Sequence, residues 1–414
     1  MSTVQSIIEK TNKAAVSLRK ASAVQSKKVL YGIADAIEAN SKAILKANKK
    51  DLSLFDLNSP KADRLLLDEK RLKAIAESIR KVAKLPDPTG KTLEEKILKN
   101  GLLLEKRTVP LGVVSAIYES RPNVTFDIAA LCIRSRNAAL LKGSKEAEHT
   151  NTIAVKLMKQ VLKQNHINPD VINLLPSARE SVNELFTATK YVDVIIPRGS
   201  EALIKYVREN SRVPVIETGA GVVHIYVERE ALIQKAVDIV VNAKVSRPSV
   251  CNAVDTIIVD EAVASVFIKN LQTAFEKYQV EVFADKKAFA LFKNYAYLHK
   301  ATNEDFGREF LSLACAVKVV KGFEEALTHI QKYSTRHSEA IISENKKLCQ
   351  RFLNEVDAAV VYCNASTRFT DGEEFGLGAE IGISTQKLHA RGPFALEKLV
   401  TEKWIVKGNG QIRK

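Results

Sequence analysis

Apolar residues return at helical spacing from Thr3 to about Leu85, as in Leu30, Ile33 and Ile37, and again in Leu72, Ile75, Ile79 and Val82. Spacings of three and four place such residues on one helix face, so three or four amphipathic helices are expected here. The cluster Pro86-Asp87-Pro88-Thr89-Gly90 ends the pattern. A strand of a hairpin is expected about 102–106. The period then changes: short apolar runs at 113–118, 138–141, 171–175, 192–196 and 213–216 alternate with helical segments about 124–134, 145–164, 181–188 and 201–209. From near Val227 the alternation resumes with helices at 232–242 and 261–278. Further runs follow at 256–259, 316–320, 340–342 and 358–362, and a terminal strand at 404–406. Strand and helix in turn predict an α/β protein with doubly wound parallel sheets, whose ligands bind off the carboxyl ends of the strands.

At 414 residues and 46% apolar composition, the chain is long enough for two domains with cores of their own. No apolar stretch approaches the roughly 18 residues of a membrane span, and residues 1–20 carry no continuous apolar segment of the signal-peptide kind. A cytoplasmic protein without a membrane partner is expected. The 63 Lys and Arg against 48 Asp and Glu give a net charge of +15. These lysines are scattered along amphipathic helices and the chain has one Trp, so no nucleic-acid surface is expected. The positive field suits anionic small molecules instead.

Five cysteines, no C-x-x-C pair and seven histidines without ligand spacing speak against a metal centre or a disulfide framework. Cys132 and Cys315 lie in apolar runs, while Cys349 and Cys363 stand alone; all four read as core fillers. Cys251 differs. It sits in Arg247-Pro248-Ser249-Val250-Cys251-Asn252-Ala253, near a cation and among turn-forming residues, where a thiol is easier to ionise and to reach. Glu217 precedes it by 34 positions, closing the run Val213-Pro214-Val215-Ile216 ahead of Gly219 and Gly221.

No G-x-G-x-x-G motif is present. Lys142 ends an apolar run and is followed by Gly143 and Ser144 before a long helix, a setting that suits a phosphate or ribose as well as it suits a solvated lysine. Ser200 after Gly199 opens a helix and reads as an N-cap, a role compatible with cofactor binding. Asn123 read by itself is a cap for the helix that follows, and Glu309 a surface carboxylate.

The strings ESRPNVT, IPRGSEALI, IETGAGVVHIYV, NAKVSRPSVCNA, STRHSEAI and FGLGAEIGISTQKLHARGP occur in this order along the chain. Together they resemble the gamma-glutamyl phosphate reductase branch of the aldehyde dehydrogenase superfamily over nearly the whole length. The resemblance implies an aldehyde dehydrogenase-like α/β fold. Residues 1–98 and 109–226, with part of 363–393, would form a doubly wound NADP-binding domain. Residues 227–362 would form an α/β catalytic domain, and 99–108 with 394–414 a small oligomerisation arm that pairs across a homodimer or larger homo-oligomer. Cys251 would then face the cleft between the domains.

By the same resemblance Cys251 is the nucleophile, Asn123 the amide facing the oxyanion, and Glu217 either structural or an aid to proton transfer. Thr218 and Ala220 depart from the residues more common around that Glu. Lys142, Ser144, Lys145, Gly199, Ser200 and Glu309 would bind the cofactor. Lys145 stands where many NAD-using relatives carry a Glu, which favours NADP(H), because a cation accepts a 2′-phosphate. Arg121, Arg247, His337 and Arg391 are the candidates for the substrate's carboxylate and phosphate. The implied reaction is NADPH-dependent reduction of L-glutamyl 5-phosphate to L-glutamate 5-semialdehyde plus phosphate through a cysteine thioester, a step of proline biosynthesis. A transient contact with glutamate 5-kinase is a further implication. Two alternatives stay open: a dehydrogenase that hydrolyses the thioester to a free acid, and a non-catalytic basic scaffold or RNA-binding protein that retains the fold.

Overall fold

The computed structural model describes residues 3–55, 62–178 and 180–413. Contacts divide the chain into one unit of Met1–Thr218, Gly376–Gly382 and Phe394–Lys414, and another of Gly219–Phe375 and Ile383–Pro393.

In the first unit, helices Thr3–Lys20, Ala23–Ala39, Ser41–Ser53 and Glu69–Lys84 account for the early periodicity. Ser22 and Asp68 cap two of them by accepting from the backbone N–H groups of Gln25 and Arg71. Their apolar stripes, Leu30, Ile33 and Ile37 on one and Leu72, Ile75, Ile79 and Val82 on the other, are buried, and the two helices pack together. Each such side chain removed from water contributes about 1.5–3 kcal/mol.

Four parallel strands follow, in the order Ile172–Leu174, Ala138–Lys142, Val113–Tyr118 and Val194–Arg198. The three longer ones are buried along almost their whole length, which is why they read as unbroken apolar runs. The chain winds from Val113–Tyr118 outward on one side, then crosses to Val194–Arg198 on the other. The order therefore reverses between these two strands, and their carboxyl ends mark the binding crevice of such a sheet. The run expected at 213–216 is not a strand. Pro214 has no N–H to donate, and only an isolated parallel bridge joins Val215 to Ile195.

Strands Thr92–Ile97, Leu103–Pro110 and Val400–Lys407 form a separate antiparallel sheet in which Trp404 lies opposite Lys106. By its contacts this sheet groups with the first unit.

The second unit holds a seven-stranded parallel sheet, ordered Leu298–Lys300, Glu281–Ala284, Ala314–Val320, Thr256–Asp260, His224–Val227, Ser338–Ile342 and Val360–Cys363. Helices Ile233–Val245 and Glu261–Glu276 cover one core with Phe267, Leu271 and Phe275, and Phe323–Tyr333 and Lys346–Glu355 cover another with Phe323 and Phe352. The unit begins earlier than the expected Val227, because His224–Val227 pairs on both sides within its sheet. Among the described residues no helix is long and apolar enough to cross a membrane.

Candidate active site

The thiol loop lies in the second unit, between helix Ile233–Val245 and strand Thr256–Asp260. Ala253 N–H bonds to the Val250 carbonyl at 3.0 Å and turns the chain at Cys251. The segment with Gly219 and Gly221 runs directly against it: a Cβ on Gly221 would lie 1.8 Å from the Cys251 carbonyl oxygen. Glu309 Oε1 accepts from Gly221 N–H at 3.0 Å, so this half-buried carboxylate braces the glycine turn against the thiol loop and is not the surface group that sequence alone suggests. Beneath both lies Asp255, which accepts from Phe310 N–H at 3.0 Å and from Val223 N–H at 3.4 Å, with Lys244 Nζ at 3.7 Å. Burial pushes its carboxyl up to about 6, Lys244 opposing.

Asn252, 4% exposed, rivets a distant turn onto the loop. Its Nδ2 donates to the Thr370 carbonyl at 2.9 Å, and its own carbonyl accepts from Thr367 Oγ1 at 2.7 Å. Its Oδ1 accepts from Arg368, whose Nε also donates to Ser246 Oγ at 3.0 Å.

Cys251 is partly exposed, whereas Cys132 and Cys315 are fully buried and burial pushes both thiols up to about 12. Cys349 and Cys363 do not stand alone. Cys349 Sγ donates to the Ser343 carbonyl at 3.4 Å and Cys363 packs against the same core; burial, with Cys363 nearby, pushes Cys349 up to about 12. Two substrate candidates are already engaged within the fold. His337 is wholly buried with Nδ1 against Ser338 Oγ at 2.9 Å, and burial pushes it down to about 4, which favours the neutral ring. Arg391 is engaged by Asp357 at 2.8 Å, a carboxylate that Lys387 also meets at 2.8 Å.

In the first unit the carboxyl ends of Val113–Tyr118 and Val194–Arg198 bring Glu119, Ser120 and Arg121 beside Arg198 and Gly199, and these line a concavity with Arg64. The backbone bends sharply at Ser120, with φ 37°, and Ser120 N–H donates to Ser144 Oγ at 3.1 Å. Ser200 caps helix Glu201–Asn210 and donates its N–H and Oγ–H to the two oxygens of Glu119, at 3.0 and 3.1 Å. Glu119 packs closely on Gly199: a Cβ there would lie 2.7 Å from Glu119 Oε2, so a larger residue would shift that carboxylate. An anionic oxygen pair thus already sits on this helix N-terminus, which shows that the Gly199-Ser200 turn accepts one. Lys142, 7% exposed, donates to the Ser177 carbonyl at 2.9 Å, and Lys145 is exposed.

Asn123 does not cap its helix. Arg121 holds the cap position of Pro122–Arg134, and Asn123 Nδ2 donates to Asp127 Oδ2 at 3.1 Å. Burial pushes the Asp127 carboxyl up to about 6, with Asn123 and Arg198 opposing. Glu217, in the same unit, accepts from Arg208 Nη1 at 3.1 Å. The described residues contain no cluster of metal-ligating side chains.

The aldehyde dehydrogenase family model matches residues 1–290. A gamma-glutamyl phosphate reductase from Chlorobium phaeobacteroides is 51% identical over 414 residues, covering 99% of both chains. One from Pelodictyon phaeoclathratiforme is 54% identical over 388 residues, or 93% of each. The crystal structure of gamma-glutamyl phosphate reductase from Thermotoga maritima superposes with a TM-score of 0.96 at 38% identity, over 100% of both chains. The chain belongs to the gamma-glutamyl phosphate reductase family. Within this reductase framework, sequence reasoning missed Glu119, Asp255 and Arg368. Glu119 opens ESRPNVT two residues before Arg121 and was within sight; Asp255 and Arg368 carry no local signal that separates them from ordinary surface charges.

Proposed function

We propose that the chain reduces L-glutamyl 5-phosphate to L-glutamate 5-semialdehyde and phosphate with NADPH, through a thioester on Cys251, in proline biosynthesis. The observation that carries this reading is the thiol loop: a reachable cysteine wedged against Gly221 and flanked by Arg247 and Arg368, in a chain whose other thiols are packed into or against the cores.

The Cys251 thiolate attacks the acyl carbon, and the carbon–oxygen bond breaks with its electron pair leaving on phosphate. Asn123 supports the oxyanion: one amide N–H holds Asp127, and the second is assigned to the acyl oxygen. NADPH, when bound, supplies the hydride. Lys142, Ser144, Lys145, Gly199 and Ser200 are assigned to hold it, with Glu309 toward the nicotinamide ribose. The exposed Lys145 favours the 2′-phosphate of NADP(H) over NAD(H). Cleavage of the carbon–sulfur bond then returns Cys251 to the thiolate and releases the aldehyde. Glu217 is structural in this reading, since Arg208 engages the carboxylate that a water-activating base would need. The outer strands of the three-stranded sheet expose Leu93, Ile97, Trp404 and Val406, apolar surface suited to pairing with a second copy of the chain.

The reverse reaction tests the proposal. With semialdehyde and NADP+ supplied, NADPH formation is expected only when phosphate or arsenate is present. Steady NADPH production with free glutamate in phosphate-free buffer would overturn it in favour of the hydrolytic enzyme.

A further inference from the structure

Arg368 lies in the turn Thr367–Phe369, far along the chain from Cys251, yet its side chain is tied to both ends of the thiol loop. Nε donates to Ser246 Oγ at 3.0 Å, immediately before Arg247, and one Nη donates to Asn252 Oδ1, immediately after Cys251. The guanidinium therefore runs along residues 247–251. Its base is fixed independently: Thr367 bonds to the Asn252 carbonyl, and Thr370 Oγ1 meets Ser338 Oγ and Tyr362 OH, each at 2.8 Å. Arg247 is close enough that its charge, after burial, lowers the proton affinity of Arg368. Among the described residues no carboxylate forms an ion pair with either guanidinium, whereas Arg80, Arg136, Arg351 and Arg391 all have one. Asp371 and Glu374 act on Arg368 only through their charge, without a direct ion pair. Two cations held together on a braced loop with no carboxylate bonded to either are arranged for an anionic ligand.

Which anion follows from connectivity. In an acyl phosphate the leaving oxygen is bonded to the carbon that the sulfur attacks, so phosphate lies beside Sγ, while the α-carboxylate of a glutamyl group is separated from that carbon by three others. We infer that Arg368 and Arg247 form the phosphate-binding pair of the thiol loop and receive the leaving group as the bond from the acyl carbon to the phosphate oxygen breaks. The inference rests on the reductase reading and adds to it a residue with no local mark in the sequence.

The test compares Arg368→Gln, Arg368→Lys and the wild type, with inorganic phosphate as the probe. In the reverse reaction Arg368→Gln is expected to raise the KM for phosphate by about ten- to a hundredfold, with the KM for NADP+ changed by less than about twofold; Arg368→Lys recovers part of the loss. Independently of turnover, phosphate should protect wild-type Cys251 from iodoacetamide at constant ionic strength and fail to protect it in Arg368→Gln, with NADPH fluorescence titration confirming that the variant is folded. A phosphate-dependent wild type alongside an Arg368→Gln variant with normal phosphate KM and normal protection would overturn the pair and leave the reductase standing. A wild type that needs no phosphate would overturn both.

Discussion

Gly221 and Cys251 touch backbone to backbone: the place where a side chain would begin on Gly221 lies 1.8 Å from the Cys251 carbonyl oxygen. Under 3 Å something has to move, and neither partner is a flexible side-chain end. Gly221 is also held by Glu309, so an added methyl must displace either the thiol loop or the Glu309 brace. Gly221→Ala is expected to lower kcat/KM by about a hundredfold or more, because displacement of a nucleophile by about 1 Å costs on that order. Steady-state kinetics, with circular dichroism confirming the fold, checks it; near-normal activity would show that the loops part without consequence.

Cys251→Ser is expected to abolish turnover while leaving fold and NADPH binding intact, because a hydroxyl without an activating base is a far poorer nucleophile at neutral pH. Ala or Ser at Cys132, Cys315, Cys349 or Cys363 should cost stability only. Mass spectrometry of enzyme mixed with acyl donor would locate the thioester on Cys251, and a covalent adduct on any other cysteine would remove it from the mechanism.

Much of the fold was legible because buried parallel strands are continuous apolar runs; Val113–Tyr118, Ala138–Lys142 and Thr256–Asp260 stood out for that reason. Strand Thr92–Ile97 did not, being exposed throughout with only Leu93 and Ile97 apolar, and Leu298–Lys300 is a three-residue edge. Val213, Val215 and Ile216 made a connecting segment resemble a strand, although Pro214 withholds a ladder donor there. At the site, local signals carried far: turn formers and a cation around Cys251, glycines before it. Arg368 and Asp255 were invisible because their meaning lies in contacts with Ser246, Asn252, Val223 and Phe310 that only folding creates. Conversely, His337 and Arg391 attracted attention by residue type, while burial of one and the Asp357 partner of the other do not show in a sequence.

Glu119 occupies donors that a cofactor phosphate would use. Both oxygens accept from Ser200 at the start of helix Glu201–Asn210, and a second negative charge there would be repelled. Glu119→Gln is expected to tighten NADPH binding by about three- to tenfold, as suits loss of a partly exposed like charge. Fluorescence titration of NADPH reads this directly. Weaker binding would instead make Glu119 a brace that Ser200 needs.

Lys145 bears on cofactor choice. Exposed one residue beyond Ser144, it can meet a 2′-phosphate, and Lys145→Glu would replace that attraction by repulsion. NADPH is expected to be preferred by the wild type, with the preference falling by about tenfold or more in the variant. Unchanged ratios of kcat/KM for NADPH and NADH would remove Lys145 from the site.

Buried histidines set an acid limit on stability. Burial holds His337 at about 4 in the fold, against about 6.5 for an unfolded chain, and His329, also buried, is held at about 3. Between those values the unfolded chain binds a proton that the folded one refuses, so the contribution of His337 is lost as pH falls from 6.5 toward 4, by up to about 1.4 kcal/mol per pH unit. Asp127 and Asp255, raised to about 6, act in the opposite sense, because the fold takes up their protons first. His337→Asn isolates the one group, since Asn can still reach Ser338 and does not titrate. Near pH 7.5 the variant is expected to be less stable than the wild type by about 1–3 kcal/mol, the loss of a packed ring. That gap should narrow steadily as pH falls through 6 and 5, read by urea unfolding at each pH. A gap that stays constant across this range would mean that His337 carries its proton in the folded protein as readily as in the unfolded one.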